Sequence, residues 1–179
     1  MGNEPEGILL ITGTVGTGKT TIATEIGAQL AAMNLHNAVV DLDWLGWVNV
    51  GNDFNGYDQL IIQNLVSAWQ NYRTIGVEYL VLARALLQRE PVDSLLNTFP
   101  NTPIIIVRLT ASKETIEKRL SQRDSAETLR EHLAEMEVMN QIMDGLNLEN
   151  AIVNNDSLSE KETASQIIHI TNWRGKGSE

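Results

Sequence analysis

The sequence predicts an α/β fold in three layers, in which helices cover both faces of a five-stranded parallel sheet. Two observations lead to this prediction. Short apolar runs alternate with segments of helical period along all 179 residues. The run Ile8–Thr12 is apolar almost throughout, as expected for a central parallel strand that is buried on both faces. No repeat or linker interrupts the alternation, so we expect a single domain over residues 1–179.

Local patterns assign the individual elements. The strands are expected at Ile8–Thr12, Ala38–Asp43, Tyr79–Ala83, Pro103–Leu109 and Ala151–Val153. The helices are expected at Lys19–Met33, Asp58–Thr74, Pro91–Asn97, Lys113–Gln122, Glu127–Leu146 and from Ser159 through Ile170. Capping-box patterns that begin at Asp124 and Ser159 predict the starts of the last two helices. Trp44–Gly56 is rich in Gly and Asn, which favours a loop with some local structure.

The segment between the first strand and the first helix reads Gly-Thr-Val-Gly-Thr-Gly-Lys-Thr. This is the pattern G-x-x-x-x-G-K-T in the context of a phosphate-binding loop, so the predicted fold is the P-loop NTPase fold. Glycines let backbone N–H groups approach phosphate oxygens, and the helix N-terminus adds donors and a positive field. Lys19 is expected to reach the β- and γ-phosphates of ATP, and the Thr20 hydroxyl to bind Mg²⁺. The predicted nucleotide-binding residues of this segment are Gly13, Thr14, Val15, Gly16, Thr17, Gly18, Lys19, Thr20 and Thr21.

Composition excludes several classes of function. A net charge of −10 repels the phosphate backbone and anionic lipids, so we expect neither nucleic acid nor a membrane as a partner. The absence of cysteine excludes disulfides and thiolate metal sites, and is compatible with a cytoplasmic location. The N-terminus does not have the pattern of a signal peptide. The expected partner is a small-molecule substrate, and the oligomeric state is left open.

Two acids end the second predicted strand. Asp41 and Asp43 are spaced i, i+2, which directs both to the same side if the chain stays extended there. One carboxylate could hold Mg²⁺ while the other accepts a hydrogen bond from an acceptor hydroxyl. We assign the metal to Asp41 and the acceptor to Asp43, although the roles could be exchanged. Alternatively, both acids only cap the following turn.

A third motif, Arg119-Leu120-Ser121-Gln122-Arg123, follows the fourth predicted strand. Together with the phosphate loop and Asp-x-Asp, it resembles the small-molecule P-loop kinases, the group of shikimate, gluconate, adenylylsulfate and nucleoside-monophosphate kinases. The resemblance implies a mobile lid at about 111–130, with Arg119 near the adenine and Arg123 on the phosphates. It also implies that Asn155 contacts the base. Otherwise the arginines line a solvated helix face and Asn154–Asp156 forms an ordinary Asx turn.

Departures from these kinases leave the acceptor unidentified. Leu42 and Gly46 replace the Gly and Arg of the adenylylsulfate kinase pattern Asp-Gly-Asp-x-x-Arg, and Ala83–Ala85 replaces the glycine triplet of shikimate kinases. Arg84 could meet an anionic substrate group or form a surface salt bridge. Trp44 and Trp47 could line the acceptor pocket or belong to the core.

The predicted function is an ATP-dependent kinase that transfers the γ-phosphoryl group to a small molecule, with Lys19, Asp43 and Arg123 in catalytic roles. The alternatives are a regulatory or switch-type P-loop ATPase and a nucleotide-binding module without catalysis. A switch-type ATPase would be expected to carry an acid after the third strand, where this chain has Ala83 and Arg84.

Overall fold

The structure is a computed structural model that describes residues 4–50 and 55–174. Its strands are β1 (Gly7–Gly13), β2 (Asn37–Asp41), β3 (Tyr79–Ala83), β4 (Ile104–Thr110) and β5 (Ala151–Asn154). Its helices are α1 (Lys19–Ala32), α2 (Leu42–Leu45), α3 (Tyr57–Thr74), α4 (Glu90–Thr98), α5 (Lys113–Leu120), α6 (Ala126–Leu146) and α7 (Glu160–Thr171). The strands form one parallel sheet in the order β2-β3-β1-β4-β5.

The alternating side chains of β1 belong to two separate hydrophobic layers. Leu9 and Ile11 pack with residues of α1 and α7, whereas Ile8 and Leu10 pack with residues of α3 and α4. All four β1 side chains are fully buried. This arrangement confirms the predicted parallel sheet with helices on both faces. In the described part of the chain, no helix combines the length and apolarity that a membrane span requires.

The second strand is shorter than the prediction. It ends at Asp41, and the next residues form the single helical turn α2. The backbone N–H of Asp43 donates to the Asp41 carboxylate at 3.1 Å, so Asp41 caps this turn. Asp43 therefore lies on a helix, and the strand-alternation argument does not apply to it. Part of the predicted loop Trp44–Gly56 is thus helical, and positions 51–54 lie outside the described residues.

The start of α6 also differs from the prediction. Ser125, not Asp124, is the N-cap, and its hydroxyl accepts from the backbone N–H of Thr128 at 3.3 Å. The capping box between Ser159 and Glu162 at the start of α7 is confirmed. Serine and aspartate cap helices about equally well, so sequence alone could not choose between neighbouring candidates.

Candidate active site

The phosphate loop folds tightly between β1 and α1. The hydroxyl of Thr17 and the ammonium group of Lys19 both donate to the Thr14 carbonyl, at 2.8 and 3.1 Å. Gly16 and Gly18 have φ angles of +79° and +86°, which side-chain-bearing residues rarely adopt. A Cβ atom on Gly16 would also lie 2.7 Å from Cγ2 of Ile116 in α5. The loop therefore requires glycine for its conformation and for the close approach of α5.

A cavity of about 400 Å³ opens above this loop. The loop and the first turn of α1 form one side, and α5 and the start of α7 contribute to the rest. Its lining residues are Val15, Gly16, Thr17, Gly18, Lys19, Thr20, Thr21, Ile22, Arg119, Leu120, Arg123, Asn155, Leu158, Glu160 and Thr163. Backbone N–H groups at a helix N-terminus, together with lysine and arginine, make this cavity suited to a polyphosphate.

Arg119 and Asn155 form a bridge between α5 and the phosphate loop. The Arg119 guanidinium donates to the side-chain and backbone oxygens of Asn155 at 3.1 and 3.0 Å. The Asn155 amide in turn donates to the Thr17 carbonyl at 2.9 Å. Asn155 is 3% exposed, and the Asx turn formed by Asn154 and Asp156 surrounds it. Residues 154–156 therefore form an Asx turn, and Asn155 within this turn also lines the cavity.

Arg123 lines the same cavity, although an acid holds it at the rim. Its Nε donates to Asp124 Oδ1 at 2.9 Å, and the arginine side chain is 58% exposed. The other oxygen of Asp124 lies 2.7 Å from Nδ1 of His132. His132 thus pairs with Asp124. A swing of Arg123 toward a ligand would exchange this exposed ion pair for another.

Two side chains with oxygen atoms, Thr20 and Asp41, stand at the edge of the phosphate loop. The Thr20 hydroxyl donates to Asp41 Oδ2 at 2.7 Å. A hydroxyl and a carboxylate beside a phosphate cradle are hard donors of the kind that Mg²⁺ prefers, with phosphate oxygens and water completing its shell. The residue types and their proximity therefore fit a magnesium ion.

A second cavity, of about 720 Å³, adjoins the first at Val15 and Lys19. Asp43 and the segment after β3 form one wall, and one face of α6 forms the other. Its lining residues are Val15, Lys19, Asp43, Ala85, Leu87, Glu131, Ala134, Glu135, Val138, Met139 and Ile142. The strand ends thus face two adjoining cavities, with Asn155 in the wall of the first and Asp43 in the wall of the second.

The two charged groups at this junction perturb each other. Partial burial raises the pKa of Asp43, and the nearby Asp41 adds to the effect, while Arg84 and Lys19 oppose it. Burial lowers the pKa of Lys19, and the charges of Asp43 and Asp41 oppose that change. A raised pKa makes the Asp43 carboxylate a stronger base than an ordinary aspartate.

Arg84 is held between two acids at the end of β3. Its guanidinium forms a close ion pair with Asp58 of α3, and its Nε lies 3.7 Å from Asp43. Gln88 donates to the other oxygen of Asp58 at 2.9 Å. The Arg84 side chain is only 15% exposed. Of the two roles considered from sequence, the ion pair is present, and it is partly buried.

Trp44 and Trp47 occupy neither expected environment in the structure. Their rings stack on each other with centroids 5.0 Å apart, and the residues are 68% and 75% exposed. Neither tryptophan is among the described residues that line the two cavities.

The contribution of α6 to the second cavity was missed from sequence. Glu131, Glu135, Val138 and Ile142 follow spacings of four, three and four, which place them on one helix face. Met139 of the same helix is buried and also lines the cavity. The mixed acidic and apolar composition of this face was the available signal, since a face that only packs in a core would carry no carboxylates.

Comparison with known proteins identifies the family to which the chain belongs. The model of the AAA domain family matches residues 9–150, which is most of the chain. No curated protein sequence matches it. The matching segment contains the phosphate loop, Asp43, Arg119, Arg123 and the α6 wall of the second cavity.

Solved structures share the fold at low sequence identity. A tunicamycin resistance protein of Deinococcus radiodurans aligns with a TM-score of 0.67 and 15% identity, over 93% of this chain and 96% of that one. A shikimate kinase from Bacteroides thetaiotaomicron aligns with a TM-score of 0.60 and 15% identity, over 93% and 99% of the two chains.

The Mycobacterium tuberculosis APS kinase in complex with AMPPNP and APS gives a TM-score of 0.61 and 15% identity, over 94% and 99% of the two chains. These neighbours confirm the resemblance to the small-molecule P-loop kinases, and at such identities they show the fold alone. The chain belongs to the AAA domain family, and its fold is that of the small-molecule P-loop kinases.

Proposed function

We propose that this chain is a phosphotransferase that moves the γ-phosphoryl group of MgATP to a hydroxyl group of a small molecule. The observation that carries the proposal is the meeting of two cavities at Lys19. The first cavity suits a polyphosphate, and the second offers a carboxylate of raised pKa, Asp43, beside an apolar wall. A simple ATPase needs room only for water at that position.

In this proposal Asp43 acts as the base for the acceptor. The acceptor oxygen forms a bond to the γ-phosphorus as the bond from that phosphorus to the β–γ bridging oxygen breaks. The hydroxyl proton passes to the Asp43 carboxylate, and ADP leaves with the bridging oxygen. Lys19 and Arg123 bind the phosphates and stabilise the charge that develops on them.

Thr20 and Asp41 would hold Mg²⁺ beside the phosphates, with Asp41 also capping α2. The ion supplies charge neutralisation for the β- and γ-phosphate oxygens. Because Asp41 binds both the Thr20 hydroxyl and the N–H of Asp43, it couples the metal site to the position of the proposed base. Arg119 and Asn155 are proposed to form the nucleotide end of the first cavity.

The proposal is tested by measuring ADP release from MgATP across a panel of acceptors. The panel holds nucleosides, nucleoside monophosphates, adenylylsulfate, sugar acids, shikimate, and aminoglycoside and phenicol antibiotics. Tunicamycin is added because one similar structure is that of a tunicamycin resistance protein. One acceptor class should raise turnover well above background.

Asp43→Asn should lower that stimulated rate by about 10²-fold or more while leaving ATP affinity largely intact. Asp93→Asn, an exposed acid on α4, is the matched control and should change neither quantity. A slow rate that ignores both the acceptor and Asp43→Asn would refute the kinase proposal and favour the regulatory ATPase. Loss of ATP binding in Asp43→Asn would instead assign this residue to the metal or the fold.

A further inference from the structure

The second cavity has an unusual apolar wall. Leu87, Val138 and Ile142 are large apolar side chains that remain exposed, and all three line this one cavity. Its volume of about 720 Å³ lies in the range of sites for drug-sized ligands. Single exposed apolar residues are common on protein surfaces and need no explanation. Several that converge on one concave site indicate a ligand with an apolar body.

Two carboxylates stand on the same wall. Glu131 and Glu135 lie one helical turn apart on α6 and both line the cavity. Throughout residues 4–50 and 55–174, neither carboxylate forms a hydrogen bond or an ion pair, whereas the neighbouring Glu137 is paired with Lys113 at 2.6 Å. These two acids therefore present free negative charge to whatever occupies the cavity.

Positive charge is scarce on the acceptor side. Among the described residues that line this cavity, Lys19 is the only basic one, and it faces the phosphate loop through Thr14. Arg84 lies nearby, but Asp58 and Asp43 already neutralise it. Among the described residues of this wall, an anionic acceptor would thus meet several carboxylates and no cation free to pair with it, which disfavours its binding.

We propose that the acceptor is an amphiphilic amine, a molecule that carries a hydroxyl group, an apolar body and a protonated nitrogen. The inference rests on the proposed function, since it names the substrate class of that site. The apolar body packs against Leu87, Val138 and Ile142, and the ammonium group pairs with Glu131 and Glu135. The hydroxyl group points to Asp43, at the junction with the nucleotide cavity. Glu131 and Glu135 are then specificity-determining residues.

Binding of three matched probes tests this inference without requiring turnover. Phenylalaninol carries a phenyl ring, a hydroxyl and an amine, N-acetylphenylalaninol lacks the charge, and phenyllactate carries a phenyl ring, a hydroxyl and a carboxylate but no amine. Their dissociation constants are measured by calorimetry on the full chain at low ionic strength. Phenylalaninol should bind about 3- to 10-fold more tightly than N-acetylphenylalaninol, as expected for one or two partly exposed ion pairs. Phenyllactate should bind most weakly.

The double variant Glu131→Gln/Glu135→Gln should bring the amine and the neutral probe to within about 2-fold of each other. The charge-matched control is Glu114→Gln/Glu127→Gln, which removes two exposed acids that do not line either cavity. This control should keep the preference for the amine, because Glu131 and Glu135 remain in place. It changes the net charge of the protein by the same amount as the double variant. It separates the cavity acids from the general attraction of an acidic protein for cations.

Equal or tighter binding of phenyllactate, failure of all three probes to bind, or a preference that survives in the double variant would overturn the inference. ADP release with phenylalaninol present reads the proposed function separately. Amine-selective binding without any acceptor-dependent turnover would refute the kinase proposal while retaining a selective amine site. Turnover of an anionic acceptor, unaffected by the double variant, would support the kinase and reject the amine.

Discussion

Asn155→Ala tests the link between the phosphate loop and Arg119 of α5. The substitution removes the amide that donates to the Thr17 carbonyl at 2.9 Å and accepts from Arg119 at 3.1 Å. Because Asn155 is 3% exposed, water cannot readily replace these bonds. A buried neutral hydrogen bond contributes about 1 kcal/mol and one to a charged group about 1.5–3 kcal/mol. Arg119 keeps its bond to the backbone oxygen of residue 155.

The free energy of unfolding should therefore fall by about 2–4 kcal/mol in the variant, measured by urea denaturation without nucleotide. Asn154→Ala is the matched control, since Asn154 is exposed and, among the described residues, its side chain bonds only to Asp156 in its own turn. It should lose less than about 1 kcal/mol. Equal losses in the two variants, or a loss below about 1 kcal/mol in Asn155→Ala, would refute the bridge as a stabilising element.

Three further predictions address the base, the phosphate arginine and the core. Because the pKa of Asp43 is raised and its ionised form accepts the proton, the transfer rate should fall as pH drops through a midpoint above the ordinary aspartate value of about 3.9; Asp43→Asn should abolish this limb of the pH–rate profile. Arg123→Ala should slow transfer more than it weakens ADP binding, and equal effects would argue against movement onto the phosphates. Replacing Arg108, which is 3% exposed, with leucine should lower the free energy of unfolding by about 3–5 kcal/mol, because it removes the ion-pair partner, 3.3 Å away, of the buried Glu149 carboxylate. Arg89→Leu, at an exposed position, should cost less than about 0.5 kcal/mol by the same urea assay.

The fold and the phosphate loop could be predicted from sequence because their determinants are local. The apolar run of β1 predicts a strand that is buried on both faces of the sheet. The glycine pattern after it predicts a turn of the kind that binds phosphate groups. The residue at which β2 ends could not be predicted as accurately. The side chain of Asp41 caps the helical turn that follows it. The strand therefore ends at Asp41, although the sequence pattern predicts a strand that continues to Asp43.

The acceptor side of the site depends on tertiary contacts that sequence patterns do not reveal. The partners of Arg84 come from α2 and α3, and no spacing rule connects Arg84 with Asp58. The α6 wall could have been recognised from the stripe that contains Glu131 and Val138. Its place opposite Asp43 follows only from the packing of the long helix across the strand ends.

The central claim is that the protein transfers a phosphoryl group from a nucleotide in the first cavity to an acceptor in the second. A label on the γ-phosphoryl group tests this claim most directly. The chain is incubated with Mg²⁺, γ-labelled ATP and the best acceptor of the panel, and the label is partitioned between acceptor and inorganic phosphate. The account predicts labelled acceptor in equal amount to the ADP formed, and loss of this product in Lys19→Ala. Label recovered only as inorganic phosphate, at a rate independent of the acceptor, would contradict it.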